Sequence, residues 1–369
     1  MTDLADPLRE AVAEKARLRV RSTSLPTGEA RARAEYACRA RLLALPEIRD
    51  ARGVLVCLSF GDELETRPLL DALTRAGKTV YLPRADRHDR MLHAHAWPCE
   101  TRTLRMGLTQ PARSAPQLPD DELATSVDAA VILGIAFDER GVRLGHGSGY
   151  VDRFLAAHPI PGVGACFSEQ IVPRLPRAVH DIPMEVVVTD RAEHRPGRGA
   201  GELLLERLTL EHDEIDGLFR RALAGDALDP EAYASFRERL LRHIGVEERL
   251  LFPAVRRGSR ALTAMPAIER LEGLRVEHAA LTSLLVPPPD LALAREIQSL
   301  LQRHNALEEG ERGVYEASVR ALTEDEARAV LHRARARRPV PTTSYFDGPG
   351  TVRTAADALE KARRARRRS

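Results

Sequence analysis

The hydrophobic period of this chain changes near residue 200, and that change bounds what it can fold into. Before it, strand-like apolar runs alternate with helix-like segments: ARGVLVCLSF (51–60), then TRPLLDALTRAGK (66–78), then TVYLPRA (79–85). A β-α-β order of this kind favours parallel strands joined by a crossover helix. Further strands are expected within DAAVILGIAF (128–137), PGVGACF (161–167) and MEVVVTD (184–190), with a helix at DRFLAAH (152–158). After residue 200 the period becomes about 3.6. Four helical segments follow, broken at AGDALDP (224–230), PAVRRGSRALTAMP (253–266) and LLVPPPD (284–290). A helical period does not serve as a strand, and 369 residues exceed the size at which one core keeps growing, so two domains follow. The expected architecture is an α/β N-terminal domain, a mainly parallel sheet flanked by helices, and an all-α C-terminal four-helix bundle. Pro, Gly and charge cluster in RAEHRPGRGAGE (191–202). The boundaries expected are 1–195, a linker at 196–202, the bundle at 203–325, and a basic, partly disordered tail at 326–369.

Composition narrows the partners. With 43% hydrophobic residues, 30% charged residues and a formal net charge of +2, the chain as a whole does not read as a nucleic-acid binder. No stretch approaches the roughly 20 apolar residues of a membrane helix, and MTDLADPLREAVAEKARLR has no apolar signal core, so no membrane partner and a cytoplasmic location are expected. Cys38, Cys57, Cys99 and Cys166 form no C-x-x-C pair, which favours reduced thiols over a disulfide frame or a zinc site.

Each bundle helix carries a histidine where its apolar stripe calls for another hydrophobic residue. Leu205, Leu208, Ile215, Phe219 and Leu223 surround His212, while Phe236, Leu240 and Leu250 surround His243 and Glu247. Ile268, Leu271, Leu274, Leu281 and Leu285 enclose His278, and Ile297, Leu300 and Leu301 lead into His304 and Glu308. One inward histidine is commonly an ordinary core residue. Four imidazoles and two carboxylates in one small core are costly without compensation, and a bound cation supplies it. The pairs His243/Glu247 and His304/Glu308 lie at i,i+4, about 6 Å apart on one face. The order His, then His-x-x-x-Glu, occurs as 212/243/247 and again as 278/304/308, implying near two-fold symmetry. Nitrogen and oxygen donors without thiolate suit iron or manganese better than structural zinc, and two bridging carboxylates suit two metals. Glu309 and Glu311 are nearby rivals to Glu308.

Over roughly residues 203 to 322 this pattern resembles the hemerythrin-like His-His-Glu family. The resemblance implies a non-haem centre of two Fe, with His212, His243, Glu247, His278, His304 and Glu308 as ligands and Glu247 and Glu308 bridging. Oxygen-carrying hemerythrins have a fifth histidine and an aspartate, and no clear fifth histidine is found here. The roles implied are therefore sensing of O2, NO or redox state, or iron handling.

The other informative segment is RLGHGSGYVDR (143–153), between the strand-like AVILGIAF and the helix-like DRFLAAH. Gly145, Gly147 and Gly149 let backbone N–H groups approach an anion, with a helix N-terminus behind them. A mere tight connection would use the same glycines. Arg143 can neutralise phosphate, and Asp152 can hold the magnesium that accompanies a nucleotide.

This loop is similar to the R-L-G-x-G-x-G-Y-Y-D-R loop of the 5-formyltetrahydrofolate cyclo-ligase family, and other parts agree in order over roughly residues 8 to 190. An early K-x-x-x-R appears as Lys15 and Arg19, an E-x-x-T as Glu63 and Thr66, and a late H-D as His180 and Asp181. Val151 replaces the loop's second tyrosine, and Glu185 stands where an aspartate is common. Without the resemblance, Lys15 and Arg19 read equally well as a solvated helix face and Asp181 as a turn residue. The resemblance implies an ATP site of Lys15, Arg19, Arg143, Leu144, Gly145, His146, Gly147, Ser148, Gly149 and Tyr150. It implies a folate end at Glu63 and Tyr150, Mg2+ on Asp152 and Asp181, and Lys15, Arg143 and Asp152 as the catalytic set. The implied reaction is ATP-dependent closure of 5-formyltetrahydrofolate to 5,10-methenyltetrahydrofolate. The other reading is a non-enzymatic di-iron sensor or store whose first domain only binds nucleotide or folate.

Overall fold

A computed structural model of the protein describes residues 7–20, 24–105, 107–158, 160–257, 265–309, 313–337, 340 and 342–367. The chain divides into two compact units, Ala11–Gly197 and Met1–Glu10 with Arg198–Ser369.

The first unit opens on helices α1 (Pro7–Val20), α2 (Gly28–Ala44) and α3 (Pro46–Arg49), then β1 (Gly53–Val56), α4 (Arg67–Arg75), β2 (Thr79–Ala85) and β3 (Leu92–Trp97). A small hairpin of β4 (Thr101–Thr103) and β5 (Thr109–Pro111) precedes α5 (Asp120–Ser126) and β6 (Ala129–Ile132). The remainder is β7 (Ala136–Asp138), β8 (Arg143–Leu144), α6 (Tyr150–Ala157), β9 (Gly162–Ala165), β10 (Ile171–Val172), β11 (Val186–Val188) and β12 (Glu193–His194). The main sheet has the order β12-β11-β9-β6-β1-β2-β3. Its five inner strands run parallel, and β3 and β12 close the edges antiparallel. Because β1, β6, β9 and β11 are buried on both faces, they appear in sequence as unbroken apolar runs. Alternate residues feed two cores: Val54 and Val56 join Leu42 and Leu69 on one face, Leu55 and Ile132 join Phe154 on the other.

The run 128–137 makes two strands in different sheets, not one. At the break, the carbonyls of Gly134 and Ile135 accept hydrogen bonds from Gln170 Nε2 (3.0 Å each), so a side chain replaces the ladder. The chain then turns into a three-stranded sheet, β10-β7-β8, which carries the glycine loop.

In the second unit, α7 (Ala200–Ala222) is followed by α8 (Pro230–Val246), a π turn (Glu247–Leu251) and α9 (Phe252–Arg257). Then come α10 (Met265–Leu284), α11 (Leu291–Glu309), α12 (Val314–Ala321), α13 (Glu324–Ala336) and α14 (Ala355–Arg366). Asp229 caps α8 by accepting from the N–H groups of Glu231 and Ala232, with Pro230 at the first turn. Two apolar clusters fill the interior. One contains Ile215, Phe219, Leu240, Leu281 and Leu300, the other Leu204, Leu208, Leu250, Leu271 and Leu274. On α7 and α10 the inward histidine falls between them, His212 between Leu208 and Ile215 and His278 between Leu274 and Leu281. The side chain of Ile268 lies outside the described residues.

Where the sequence gives a partly disordered tail from 326, the structure has packed helices. Ala327, Val330, Leu331 and Ala334 of α13 join one cluster, and Ala355, Ala358 and Ala362 of α14 join the other. Their buried stripes are largely alanine among arginines, so the segments look polar although one face of each is covered. No helix among the described residues is long and apolar enough to cross a membrane.

Candidate functional sites

The first site gathers residues far apart in sequence. Lys15 on α1, 7% exposed, donates to Asp181, which also accepts from the Ala178 N–H (2.6 Å). One turn on, Arg19 Nε donates to the carbonyl of Gly145 (2.8 Å). Arg143 donates to Asp152 Oδ2 (2.9 Å), and Asp152 Oδ1 accepts from the Ile182 N–H (3.1 Å). Glu63, after β1, is 8% exposed; its Oε2 accepts from the Phe60 N–H (3.0 Å) and its Oε1 lies 3.1 Å from His146 Nε2. The buried Thr66 hydroxyl donates to the Cys57 carbonyl (3.0 Å) and accepts from the Ser59 N–H (3.2 Å), bracing the turn that holds Glu63. Arg19, Glu63 and Asp152 thus bond to the loop at Gly145, His146 and Arg143, and the Lys15–Asp181 pair adjoins them along the chain, one turn from Arg19 and next to Ile182.

Two glycines in the loop take left-handed backbone that a side chain would strain, Gly147 at φ +99°, with Arg19 against it, and Gly149 at φ +66°; a Cβ at Gly145 would meet only the movable end of the Arg143 side chain. Gly149, just before α6, and the exposed Ser148 and His146 keep the loop open. Leu144 differs from its neighbours: its side chain is buried with Val142 and Leu175, and its carbonyl accepts from Ile135, so it anchors the loop through the core. Tyr150 stacks with the Arg153 guanidinium (5.0 Å), and Val151 packs partly buried beside Phe154. His180 Nε2 lies 3.9 Å from Asp181 Oδ1. Sequence reasoning missed Arg31, whose Nη2 donates to the Glu63 carbonyl (2.8 Å). The four cysteines are free, and burial pushes the Cys38 and Cys57 thiols up to about 12, away from nucleophilic use.

The second site lies inside the helical unit. His212, His243, Glu247, His278, His304 and Glu308 are each 4% exposed or less. Their donor atoms form two groups sharing both carboxylates: His212, His243, Glu247 and Glu308, and Glu247, His278, His304 and Glu308, with the atoms of each group within 4.8 Å of one another. Glu247 Oε1 faces His243 Nε2 (3.6 Å) while its Oε2 faces His278 Nε2 (3.1 Å). Glu308 Oε2 faces His212 Nε2 (3.3 Å) and its Oε1 faces His304 Nε2 (3.3 Å). Each carboxylate therefore offers one oxygen to each half. The π turn begins at Glu247, as such widened turns often do at functional positions.

Every imidazole is also held from behind. Nδ1 of His212, His243, His278 and His304 meets Glu309 (2.6 Å), Glu211 (2.8 Å), Glu248 (3.0 Å) and Glu277 (2.8 Å) respectively. Glu309 is thus a support for His212 rather than a rival to Glu308; Glu311 lies outside the described residues. Sequence reasoning missed this outer set, although a readable signal exists in the doublets Glu211-His212, Glu277-His278, Glu247-Glu248 and Glu308-Glu309. It also missed Tyr315, whose hydroxyl enters the first group and donates to Glu247 Oε1 (2.5 Å).

These residues fit a metal pair. With each Nδ1–H committed to a carboxylate, neutral imidazoles point lone pairs at each other, His212 Nε2 to His243 Nε2 at 2.8 Å and His278 Nε2 to His304 Nε2 at 3.0 Å. With the rings neutral, Glu247 Oε2 and Glu308 Oε1 are likewise buried without a hydrogen bond. Cations between the donors would resolve both conflicts, and carboxylate-held imidazoles are the usual form of metal-ligating histidine. Without a metal, protons are drawn in. Burial lowers the affinity of His212 and His278 for a proton, but hydrogen bonds and charge from Glu308 and Glu309, and from Glu247 and Glu248, outweigh it and hold both up at about 10. His304 is likewise held up at about 8, against burial, chiefly by the charge of Glu308 and the hydrogen bond of Glu277.

Comparison with known proteins agrees with this division. The Hemerythrin HHE cation binding domain model matches residues 203–313. The 5-formyltetrahydrofolate cyclo-ligase family model matches residues 8–190. The 5-formyltetrahydrofolate cyclo-ligase of Escherichia coli K12 is 35% identical over 156 residues, covering 40% of this chain and 84% of that protein. The probable 5-formyltetrahydrofolate cyclo-ligase of Schizosaccharomyces pombe is 28% identical over 165 residues, covering 40% of this chain and 80% of that protein. The solution structure of Aquifex aeolicus 5,10-methenyltetrahydrofolate synthetase is similar at 26% identity and a TM-score of 0.42, covering 52% of this chain and 93% of that one. With its glycine loop and a relative matched over most of its length, the chain belongs to the 5-formyltetrahydrofolate cyclo-ligase family, and a region similar to the hemerythrin HHE domain follows that match.

Proposed function

We propose that the first unit closes 5-formyltetrahydrofolate to 5,10-methenyltetrahydrofolate with ATP. The observation that carries this is that Arg19, one turn along α1 from the Lys15–Asp181 pair, meets the carbonyl of Gly145 in the same loop that holds the Arg143–Asp152 pair. An N-formyl carbon is a poor electrophile because amide resonance feeds it. Transfer of the γ-phosphoryl group to the formyl oxygen makes that oxygen a leaving group; the second folate nitrogen then attacks the carbon, loses its proton, and phosphate departs. The protein's task is positioning and charge neutralisation. In this reading Lys15, Arg19 and Arg143 turn from their present partners to the phosphates, which frees the Asp152 and Asp181 carboxylates for magnesium. Magnesium bound there would neutralise charge developing on the phosphate oxygens. The loop backbone from Leu144 to Gly149, with His146, Ser148 and Tyr150, lines the triphosphate, while Glu63 and Tyr150 receive the pterin. The test is methenyltetrahydrofolate formation by the full chain. Asp152→Asn keeps the side-chain shape and the Ile182 contact but removes the charge, so turnover should fall at least about tenfold; unchanged turnover would refute the assignment. Val151, where the family has tyrosine, favours the other reading of binding without turnover, which the same assay decides.

We further propose that the second unit holds two iron ions between its four histidines and two bridging glutamates. Iron held this way can bind O2 or NO or change oxidation state, which suits sensing or iron handling. The carrying observation is the pair of facing imidazole Nε2 atoms in each half, 2.8 and 3.0 Å apart beside the two shared carboxylates. Purified protein should contain about two irons per chain, and His243→Ala should lose at least one, read by elemental analysis; full metal content in that variant would remove the assignment.

A further inference from the structure

We propose that Tyr315 is a metal ligand in one half of the helical site, so that the two cation positions are chemically unlike; this rests on the two-metal reading above. Tyr315 is fully buried near the start of α12, its ring tilted against His212 with centroids 5.4 Å apart. Its hydroxyl lies 3.0 Å from His212 Nε2, 3.0 Å from His243 Nε2, 2.5 Å from Glu247 Oε1 and 3.2 Å from Glu308 Oε2. With both rings neutral, four acceptors surround one phenolic proton. Because His212 and His243 spend their Nδ1–H groups on Glu309 and Glu211, both rings in their neutral form meet the phenol with lone pairs, and one O–H can answer only one of the four.

A shared cation accounts for the same spacing. Donors at right angles on one ion, with bonds of roughly 2.1 Å, stand about 3.0 Å apart. The phenol oxygen keeps nearly that separation from three of the four donors and stands closer, at 2.5 Å, to Glu247 Oε1. The other four follow a similar spacing among themselves: His212 to His243 is 2.8 Å, His243 to Glu247 3.6 Å, and Glu308 to His212 3.3 Å. The second half is built differently, since the ring lying parallel to His278 at 5.6 Å is Phe252, which has no donor atom. A phenolate is a hard anionic donor that favours ferric over ferrous iron, so the half holding His212 and His243 would be the more readily oxidised. The phenolic proton leaves to solvent as the bond forms.

The test uses the full chain, loaded with iron and oxidised. Ferric phenolate absorbs visible light by ligand-to-metal charge transfer, and excitation there yields tyrosinate ring modes in the resonance Raman spectrum. Those modes should be present in the wild-type protein and persist in Tyr233→Phe/Tyr345→Phe, which changes this unit's other tyrosines. They should vanish in Tyr315→Phe. Iron bound without tyrosinate modes in the wild-type protein overturns the proposal, whether or not Tyr315→Phe folds, and so does their survival in a folded Tyr315→Phe. Absence of bound iron would overturn the two-metal reading and this ligand with it.

Discussion

The four carboxylates behind the histidines run in a ring: Glu211 of α7 holds His243 of α8, and Glu248, just past α8, holds His278 of α10. Glu277 of α10 then holds His304 of α11, and Glu309 of α11 returns to His212 of α7. Each helix thereby orients the ligand of the next, an arrangement that fixes the rings and raises their basicity. This predicts a pH dependence in the metal-free protein. His212, His278 and His304 bind protons more tightly folded, at about 10, 10 and 8, than their ordinary value of 6.5. A raised folded value gives stability that is complete below about 6.5 and is lost as pH climbs through 8 to 10. Calorimetry of iron-free protein at pH 6.5, 8 and 9.5 should show the bundle transition falling, and a transition that rises over this range would contradict the assignment. At this scale the sequence was legible where spacing alone put two side chains on one inward face, as at His243 and Glu247, whose facing atoms stand 3.6 Å apart. It was not legible for Glu211 or Glu277, because neighbours on a helix point about 100° apart, and which ring each serves depends on the next helix. Tyr315 was hidden because it lies beyond the break after α11.

At the scale of elements, the strands and long helices followed their periods closely. Fully buried parallel strands gave apolar runs, as at Val54–Val56, and Pro230 and Asp229 marked the start of α8 through its cap. Two things escaped this reading. The split at Gly134 depends on Gln170, 36 residues away, supplying hydrogen bonds the ladder would otherwise make. The packing of α14 escaped, although a short helical stretch is expected in the basic tail, because its buried face is alanine, which carries little hydrophobic signal. Ala358 is 0% exposed in that face. Ala358→Asp would bury an unpaired carboxylate, a change expected to cost about 2 kcal/mol or more, which lowers the bundle melting temperature by roughly 5 °C in a unit of this size. An unchanged transition would mean that α14 does not pack as described.

For the whole molecule, two different economies of burial meet in one chain. The first unit gathers charged residues at a loop-built site between pairs that can exchange partners, as phosphoryl transfer requires. The second hides its polar residues between two apolar clusters, as a metal cage requires. The change of period near residue 200 showed that division; the gathering of Lys15, Arg19, Glu63 and Asp181 at the loop-built site needed the fold, since these residues come from separate segments. The central claim is that the first unit activates a formyl oxygen by phosphoryl transfer, and an oxygen label follows that atom directly. The full chain is incubated with magnesium, ATP and 5-formyltetrahydrofolate carrying heavy oxygen in the formyl group, and the released phosphate is analysed by mass. The account predicts methenyltetrahydrofolate, ADP and one labelled oxygen in each phosphate; no methenyltetrahydrofolate, or phosphate without the label, would contradict it.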